Sequence, residues 1–231
     1  AEGNSAVCQL MWDMQVSCYG ASNTLLNAAH RGDTIPSMVA AIPSAYYKDV
    51  SATVIIDKCR SWTMPANMGL LQKYFAQSPK VIVLERPVVD ILKSFKALNR
   101  SNGRDSDEAE DALLPNSDPV VTSLDGVIWA KQNNQNGNFL FIRYDDLVAD
   151  TERVLTSIYE FCEIPPFKHD LNNIINNHPE DDVGVYDNPG LHEVRPTIYK
   201  RKVDETLLDA TMAKCAEVEE SDVLHHIKGW V

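Results

Sequence analysis

Basic residues are in short supply. The chain of 231 residues carries 21 Lys and Arg against 33 Asp and Glu, a formal charge of -12. Neutralising nucleic-acid phosphates takes a basic face, so a general nucleic-acid binder is excluded, and any anion must be held by a few placed cations. Cysteine is sparse as well. Cys8, Cys18, Cys59, Cys162 and Cys215 are odd in number, scattered and never in CxxC spacing. That argues against a disulfide framework or a zinc site and for a reducing compartment, the cytoplasm. Long apolar runs are missing: none approaches the roughly 18 to 20 residues that span a bilayer, and the opening residues show no basic segment followed by an apolar one. Internal repeats and low-complexity tracts are absent too. What remains, 44% hydrophobic and 23% charged residues, is the ordinary make-up of a soluble globular protein. It is enough for one domain over residues 1–231 with its own core.

The clearest local unit starts at Lys80. Val81-Ile82-Val83-Leu84 is a short β-branched run of the kind that forms a strand buried on both faces, expected here as a central parallel strand. Beyond Glu85-Arg86-Pro87 the pattern turns helical, with Val88, Ile91, Phe95 and Leu98 on one stripe and Pro87 where a first turn tolerates it. Two further strands are expected at 53–56, ending in Asp57-Lys58, and at 139–142, ending in Arg143-Tyr144. Helices are expected over about 68–75, 120–133, 151–162 and 204–220. The acid-rich stretch 101–118, with Asn102-Gly103 and Pro115, reads as a mobile surface insertion, and 178–196 as irregular chain. The expected fold class is therefore α/β, a central parallel sheet flanked by helices. In such sheets ligands bind at the carboxyl ends of strands, which gathers Asp57, Lys58, Arg86 and Tyr144 as candidates for one crevice.

Arg86 presents a planar fork of donors suited to a phosphate. Ser94 follows eight residues later on the helix and shares a face with Asp90. The same spacing also serves an Arg86 paired with Glu85 or Asp90 and a Ser94 that is only a small helical residue. Lys58 and Arg60 offer cations for charge that grows on a leaving group; an Asp57–Lys58 surface pair is the competing reading.

These residues stand in segments that resemble the sulfotransferase family. The run from Lys80 to Phe95 is similar to its 3'-phosphate-binding segment, a strand followed by Arg, Asp and Ser. Phe141-Ile-Arg-Tyr144-Asp145-Asp146-Leu147 and the helix ending Tyr159-Glu-Phe-Cys162 resemble its downstream RYEDL segment. Ile55-Ile-Asp-Lys58-Cys-Arg60-Ser-Trp62 and Gly190-Leu-His192-Glu-Val-Arg195-Pro196 are similar to segments of bacterial members. Together these cover about 53–200. The resemblance implies a P-loop nucleotide-binding fold and transfer of a sulfuryl group from 3'-phosphoadenosine 5'-phosphosulfate (PAPS), without a metal, to a hydroxyl or amine of a small-molecule, saccharide or protein acceptor. It implies that Arg86 and Ser94 hold the 3'-phosphate, that Lys58 touches the 5'-phosphosulfate with Arg60 beside it, that Tyr144 lies near the adenine, and that Arg195 closes over the nucleotide. For the acceptor-side base it points first to Glu2, then to Asp57 and His192; Arg60, where some members carry His, stays protonated. The family's opening PRSGST-like loop, whose amides cradle the phosphosulfate, has no counterpart here, and a segment of roughly 20 to 40 residues is expected upstream of Ala1. Two alternatives stay open: a nucleotide-binding module without chemistry, and a P-loop phosphotransferase, which would need a GxxxxGK[ST] loop that the sequence lacks. The acceptor and the oligomeric state are left open.

Overall fold

The computed structural model describes residues 6–20, 34–52, 54–75, 79–112, 119–177, 179–200 and 202–220. In chain order the elements are α1 (Ala6–Gly20), α2 (Thr34–Tyr46), α3 (Pro65–Tyr74), β1 (Val81–Glu85), α4 (Val88–Ser101), α5 (Asp107–Asp111), α6 (Pro119–Gln132), β2 (Phe139–Arg143), α7 (Tyr144–Ala149), α8 (Thr151–Cys162), α9 (Asp182–Tyr186) and α10 (Asp209–Glu220). The chain divides into two compact units. One comprises Ala1–Val81, Thr122–Phe139 and Val223–Val231, the other Ile82–Val121 and Leu140–Asp222.

In the first unit the apolar stripe of α1 decides the packing. Val7 and Cys8, with Met11 one turn on, share one face and are buried with Val39 of α2 and Leu70 of α3. Trp12, Ile42, Trp62 and Tyr74 pack around them. Each fully buried side chain of this size stabilises by about 1.5–3 kcal/mol relative to exposure. The turn ahead of β2 is fixed by its asparagines. Asn134 donates to the Phe139 carbonyl and accepts from the Phe139 amide, both at 2.9 Å. Gly137 sits at φ 66°, a conformation that side chains resist.

In the second unit α4 follows β1 through Pro87, its N-cap, and buries Val88 and Leu92. Asp150 caps α8 by accepting from the Arg153 amide at 3.2 Å, and Glu163 in the left-handed region ends that helix. Ser106 caps the short α5 in the same way. Glu110 of α5 is buried. It takes a hydrogen bond from Lys96 of α4 and another from the Leu208 amide, while Lys96 also donates to the Thr206 carbonyl at 2.8 Å. One carboxylate thus ties α4, α5 and the chain leading into α10.

The expectation of an α/β fold with a central parallel sheet, and with it the P-loop arrangement, is overturned. Among the described residues helices dominate and the sheet has two strands, β1 beside β2. The physical reason lies in the apolar run at 53–56. Val54, Ile55 and Ile56 form no strand and are exposed, Ile56 to 80%. A strand is stable only where a neighbour completes its hydrogen bonds and something covers its faces, and nothing described here does either for this run. For the same reason β1 is not a strand buried on both faces: Val83 is buried while Ile82 and Leu84 are exposed. Two strands leave both as edges. Elsewhere the expected helices appear with shifted ends, 65–74 for 68–75, 119–132 for 120–133 and 209–220 for 204–220. The helices α1, α2 and α7 were not expected, nor were α5 within 101–118, read as a loop insertion, and α9 within 178–196.

Candidate functional site

The starts of the strands meet, the Val81 amide donating to the Asn138 carbonyl at 2.8 Å. Their ends meet too: Arg86, one residue past β1, places its guanidinium carbon 4.8 Å from the centroid of the Tyr144 ring, the first residue past β2. The strands therefore run in the same direction and deliver both residues to one spot. Arg86 is half-buried, and its Nε is buried without a hydrogen-bond partner among the described residues. An N–H left in that state costs about 1–3 kcal/mol, and the ring face of Tyr144 compensates only part of a guanidinium's charge. An anion accepting from the fork would satisfy it.

Asp145, next along, receives Lys200 Nζ at 2.8 Å. The Lys200 hydrogen bond holds its carboxyl below the usual range against a smaller opposing effect of desolvation, and the charges of Lys200, Arg143 and Arg86 add to the lowering. Arg86 is the smallest of these contributions, the Lys200 hydrogen bond the largest. Ser94 is half-buried on α4, eight residues beyond Arg86. Arg195 is also half-buried. Its guanidinium lies 3.8 Å from a Glu193 oxygen and 5.4 Å from the Tyr199 ring, in a segment held by the Ile174 amide donating to the Pro196 carbonyl at 2.8 Å. His192, half-buried in the same segment, lies against Asp182 and Glu180.

Lys58 and Arg60 belong to the first unit and are exposed on irregular backbone. The chain around them is anchored at its flanks. Tyr47 donates to Asp57 at 3.3 Å; burial, then the Asp57 charge, raises the Tyr47 phenol above its ordinary value. On the other side Cys59 Sγ meets Ser61 Oγ at 2.9 Å. Asn67 of α3 donates to the Ser61 carbonyl at 2.8 Å and accepts from Trp12 Nε1 at 2.8 Å. Trp12 thus packs against the core of the first unit and is tethered at its indole nitrogen. Burial, followed by the charges of Cys59 and Asp57, pushes the Cys8 thiol up to about 12. Glu2 lies outside the described residues. Among the described residues no group of three or more His, Cys, Asp and Glu is arranged to hold a metal ion, and no helix is long and apolar enough to cross a membrane.

Compared with known proteins, the chain matches the family described as "Sulfotransferase family" over residues 7–169. Among solved structures it is similar to the "Sulfotransferase Domain from the Curacin Biosynthetic Pathway", at 14% identity and a TM-score of 0.47, over 95% of this chain and 82% of that one. No curated protein matches it.

Proposed function

Because this chain belongs to the sulfotransferase family, we propose that it transfers a sulfuryl group from PAPS to a hydroxyl or amine of a small-molecule, saccharide or protein acceptor, in the cytoplasm. The observation that carries the reading is the guanidinium of Arg86, half-buried, set on Tyr144 and short of a partner at Nε. A phosphate monoester matches that fork in charge and geometry. In this reading Arg86 takes the 3'-phosphate, Ser94 adds a hydroxyl from α4, Tyr144 lies near the adenine and Arg195 closes over the nucleotide. PAPS supplies an activated sulfuryl group whose transfer, like phosphoryl transfer, turns on alignment and on cations facing the spreading negative charge. Lys58 and Arg60 carry that second task at the phosphosulfate, and the chain's own cations do the work that a metal ion does elsewhere. Glu2 is the first candidate for acceptor-side base. The four described cysteines are free thiols, which supports the cytoplasmic assignment.

One observation favours a second reading, nucleotide binding without transfer: Lys58 and Arg60 stand exposed on a segment that no strand holds in place. Calorimetry tests the shared part. Adenosine 3',5'-bisphosphate binds more tightly than AMP, and Arg86→Ala removes most of the preference. A charge-assisted hydrogen bond is worth about 1.5–3 kcal/mol, which corresponds to about 10- to 150-fold. Equal binding of the two nucleotides by the wild-type chain refutes the assignment. Transfer of labelled sulfate from PAPS to an acceptor library separates the two readings.

A further inference from the structure

Two thiols of the first unit stand in an arrangement that the transfer reading leaves unused. Cys8 lies on α1, fully buried in the core. Cys59 is half-buried on irregular chain, between the exposed Lys58 and Arg60. Three ties lay that chain on the core around Cys8. Tyr47, which packs against the core cluster, donates to Asp57 at 3.3 Å. On the other side of Cys59 in sequence, Trp62 packs against the same cluster. Between them Asn67 of α3 forms a bridge. Its Nδ2 donates to the Ser61 carbonyl at 2.8 Å and to Ser61 Oγ at 2.9 Å, and its Oδ1 accepts from Trp12 Nε1 at 2.8 Å. Trp12 follows Cys8 by one helical turn on the same face of α1. Positions 57, 61 and 62 are thus fastened to the residues that surround Cys8, and Cys59 lies among them. Its sulfur is 2.9 Å from Ser61 Oγ and accepts from the Ser61 amide at 3.4 Å. Burial, and after it the charges of Cys59 and Asp57, raise the Cys8 thiol, so two groups of the overlying chain act on that one sulfur.

We propose that Cys8 and Cys59 form a dithiol–disulfide pair, a redox-sensitive modification site that acts on Lys58 and Arg60. For its effect on turnover the inference rests on the sulfuryl-transfer reading. The oxidant is a low-molecular-weight disulfide of the glutathione type. Cys59, the more accessible thiol, attacks first. Its sulfur bonds to one glutathione sulfur, the S–S bond of the reagent breaks, and the other glutathione leaves and takes up the proton as a thiol. Cys8 then attacks the Cys59 sulfur and gives up its proton, and the second glutathione leaves as a thiol. Two electrons pass from the protein to the reagent, and one disulfide replaces another. Burial dictates this order, because the thiolate is the attacking form and Cys8, closed to solvent and holding its proton tightly, reacts only with a sulfur brought to it. The chain from 54 to 59 is neither helix nor strand. It yields where a regular element resists, letting the two Cβ atoms reach the roughly 3.5–4.5 Å that a disulfide requires. Bonding to Cys8 takes the Cys59 sulfur away from Ser61 and shifts the flanking Lys58 and Arg60 with it.

The experiment incubates the full chain with glutathione disulfide and, in parallel, with dithiothreitol, followed by digestion without reduction and peptide mass mapping. Oxidation yields one cross-linked peptide pair, Cys8 joined to Cys59, and dithiothreitol returns both thiols. Cys8→Ser stops the reaction at glutathione on Cys59, and Cys59→Ser leaves Cys8 unmodified. Transfer of labelled sulfate from PAPS to phenol falls about 100-fold on oxidation, the cost of misplacing catalytic groups by about 1 Å, and recovers on reduction. Affinity for adenosine 3',5'-bisphosphate, assigned to Arg86 in the other unit, stays the same, and the Cys59→Ser chain transfers at one rate under both conditions. Four results in the wild-type chain overturn the proposal: an unreactive Cys59, glutathione retained on Cys59, Cys59 joined to any other thiol of the chain, and a cross-linked chain whose transfer rate is unchanged. A wild-type chain that transfers sulfate in neither state refutes the sulfuryl-transfer reading instead. The peptide map, which needs no donor, then decides the pair by itself.

Discussion

Glu110→Gln gives the sharpest test of how the second unit is held together. The Glu110 side chain is 2% exposed and its partner Lys96 14%. Removing one member of a buried ion pair costs about 3–5 kcal/mol when the other charge stays trapped. Two features soften the loss here. Gln keeps an acceptor for the Leu208 amide, and Lys96 retains the Thr206 carbonyl and a path to solvent. The expected cost is therefore about 2–3 kcal/mol, a fall in melting temperature of roughly 5–10 °C for a chain of this size. The pH dependence carries the mechanism. Burial alone raises the Glu110 carboxyl, but the Lys96 hydrogen bond, the Leu208 amide, Thr211 and the Lys96 charge together leave it below its ordinary value of 4.5. A depressed carboxyl contributes stability that is complete above the unfolded value and is lost as pH falls through the folded one. The gap between wild type and Glu110→Gln, followed by urea unfolding, is accordingly widest near neutrality and closes below about pH 4.5. Adding Lys96→Met to Glu110→Gln removes the stranded charge and costs less than the sum of the two single changes. A variant that melts with the wild type, or a gap of constant width from neutral to acid, refutes the reasoning.

Two further expectations follow from local geometry. At Gly126 an added Cβ runs into Thr63 Oγ1 and comes within 3.3 Å of the Thr63 backbone, whereas at Gly69 it meets nothing. Gly126→Ala therefore lowers the urea midpoint by the equivalent of about 1–3 kcal/mol, while Gly69→Ala, inside α3, raises it by about 0.5–1 kcal/mol; the opposite order contradicts the packing. Cys8, fully buried and raised to about 12, is protected from a disulfide thiol reagent at pH 8 in the native chain, and peptide mapping that finds it labelled as fast as half-buried Cys59 argues against its placement.

Legibility in the sequence tracks how far apart the interacting residues stand. The segment from β1 through α4 reads correctly in its order of elements, though not in the burial of β1, because strand, turn and helix are each specified by neighbours: an apolar run, Pro87 at the cap, then a stripe of period 3.6. The α8 boundaries, 151–162, read to the residue for the same reason, with Asp150 at the cap. Glu110 does not. In an acid-rich stretch it reads as surface, yet its partners are Lys96, 14 positions back, and the Leu208 amide, 98 positions on. No local pattern announces such a knot. The stripe of Val7, Cys8 and Met11 is a helical signal for α1.

The run at 53–56 shows the converse failure. Its composition is that of a strand, and periodicity has no means of registering whether a neighbour exists to complete the ladder. Val54, Ile55 and Ile56 are consequently exposed and irregular. This matters for the candidate site, because strand-end placement is what gathered Lys58 with Arg86 and Tyr144. Arg86 and Tyr144 do meet, each one residue past a strand whose partner is present, and that contact owes nothing to the 53–56 run. Lys58 and Arg60 depended on it wholly, and their assignment now stands on the motif around them. The two groups of candidate residues therefore differ in what holds them. The guanidinium of Arg86 and the ring of Tyr144 follow directly on paired strands, whereas Lys58 and Arg60 stand on irregular chain whose flanks are tied through Tyr47 on Asp57 and Asn67 on Ser61.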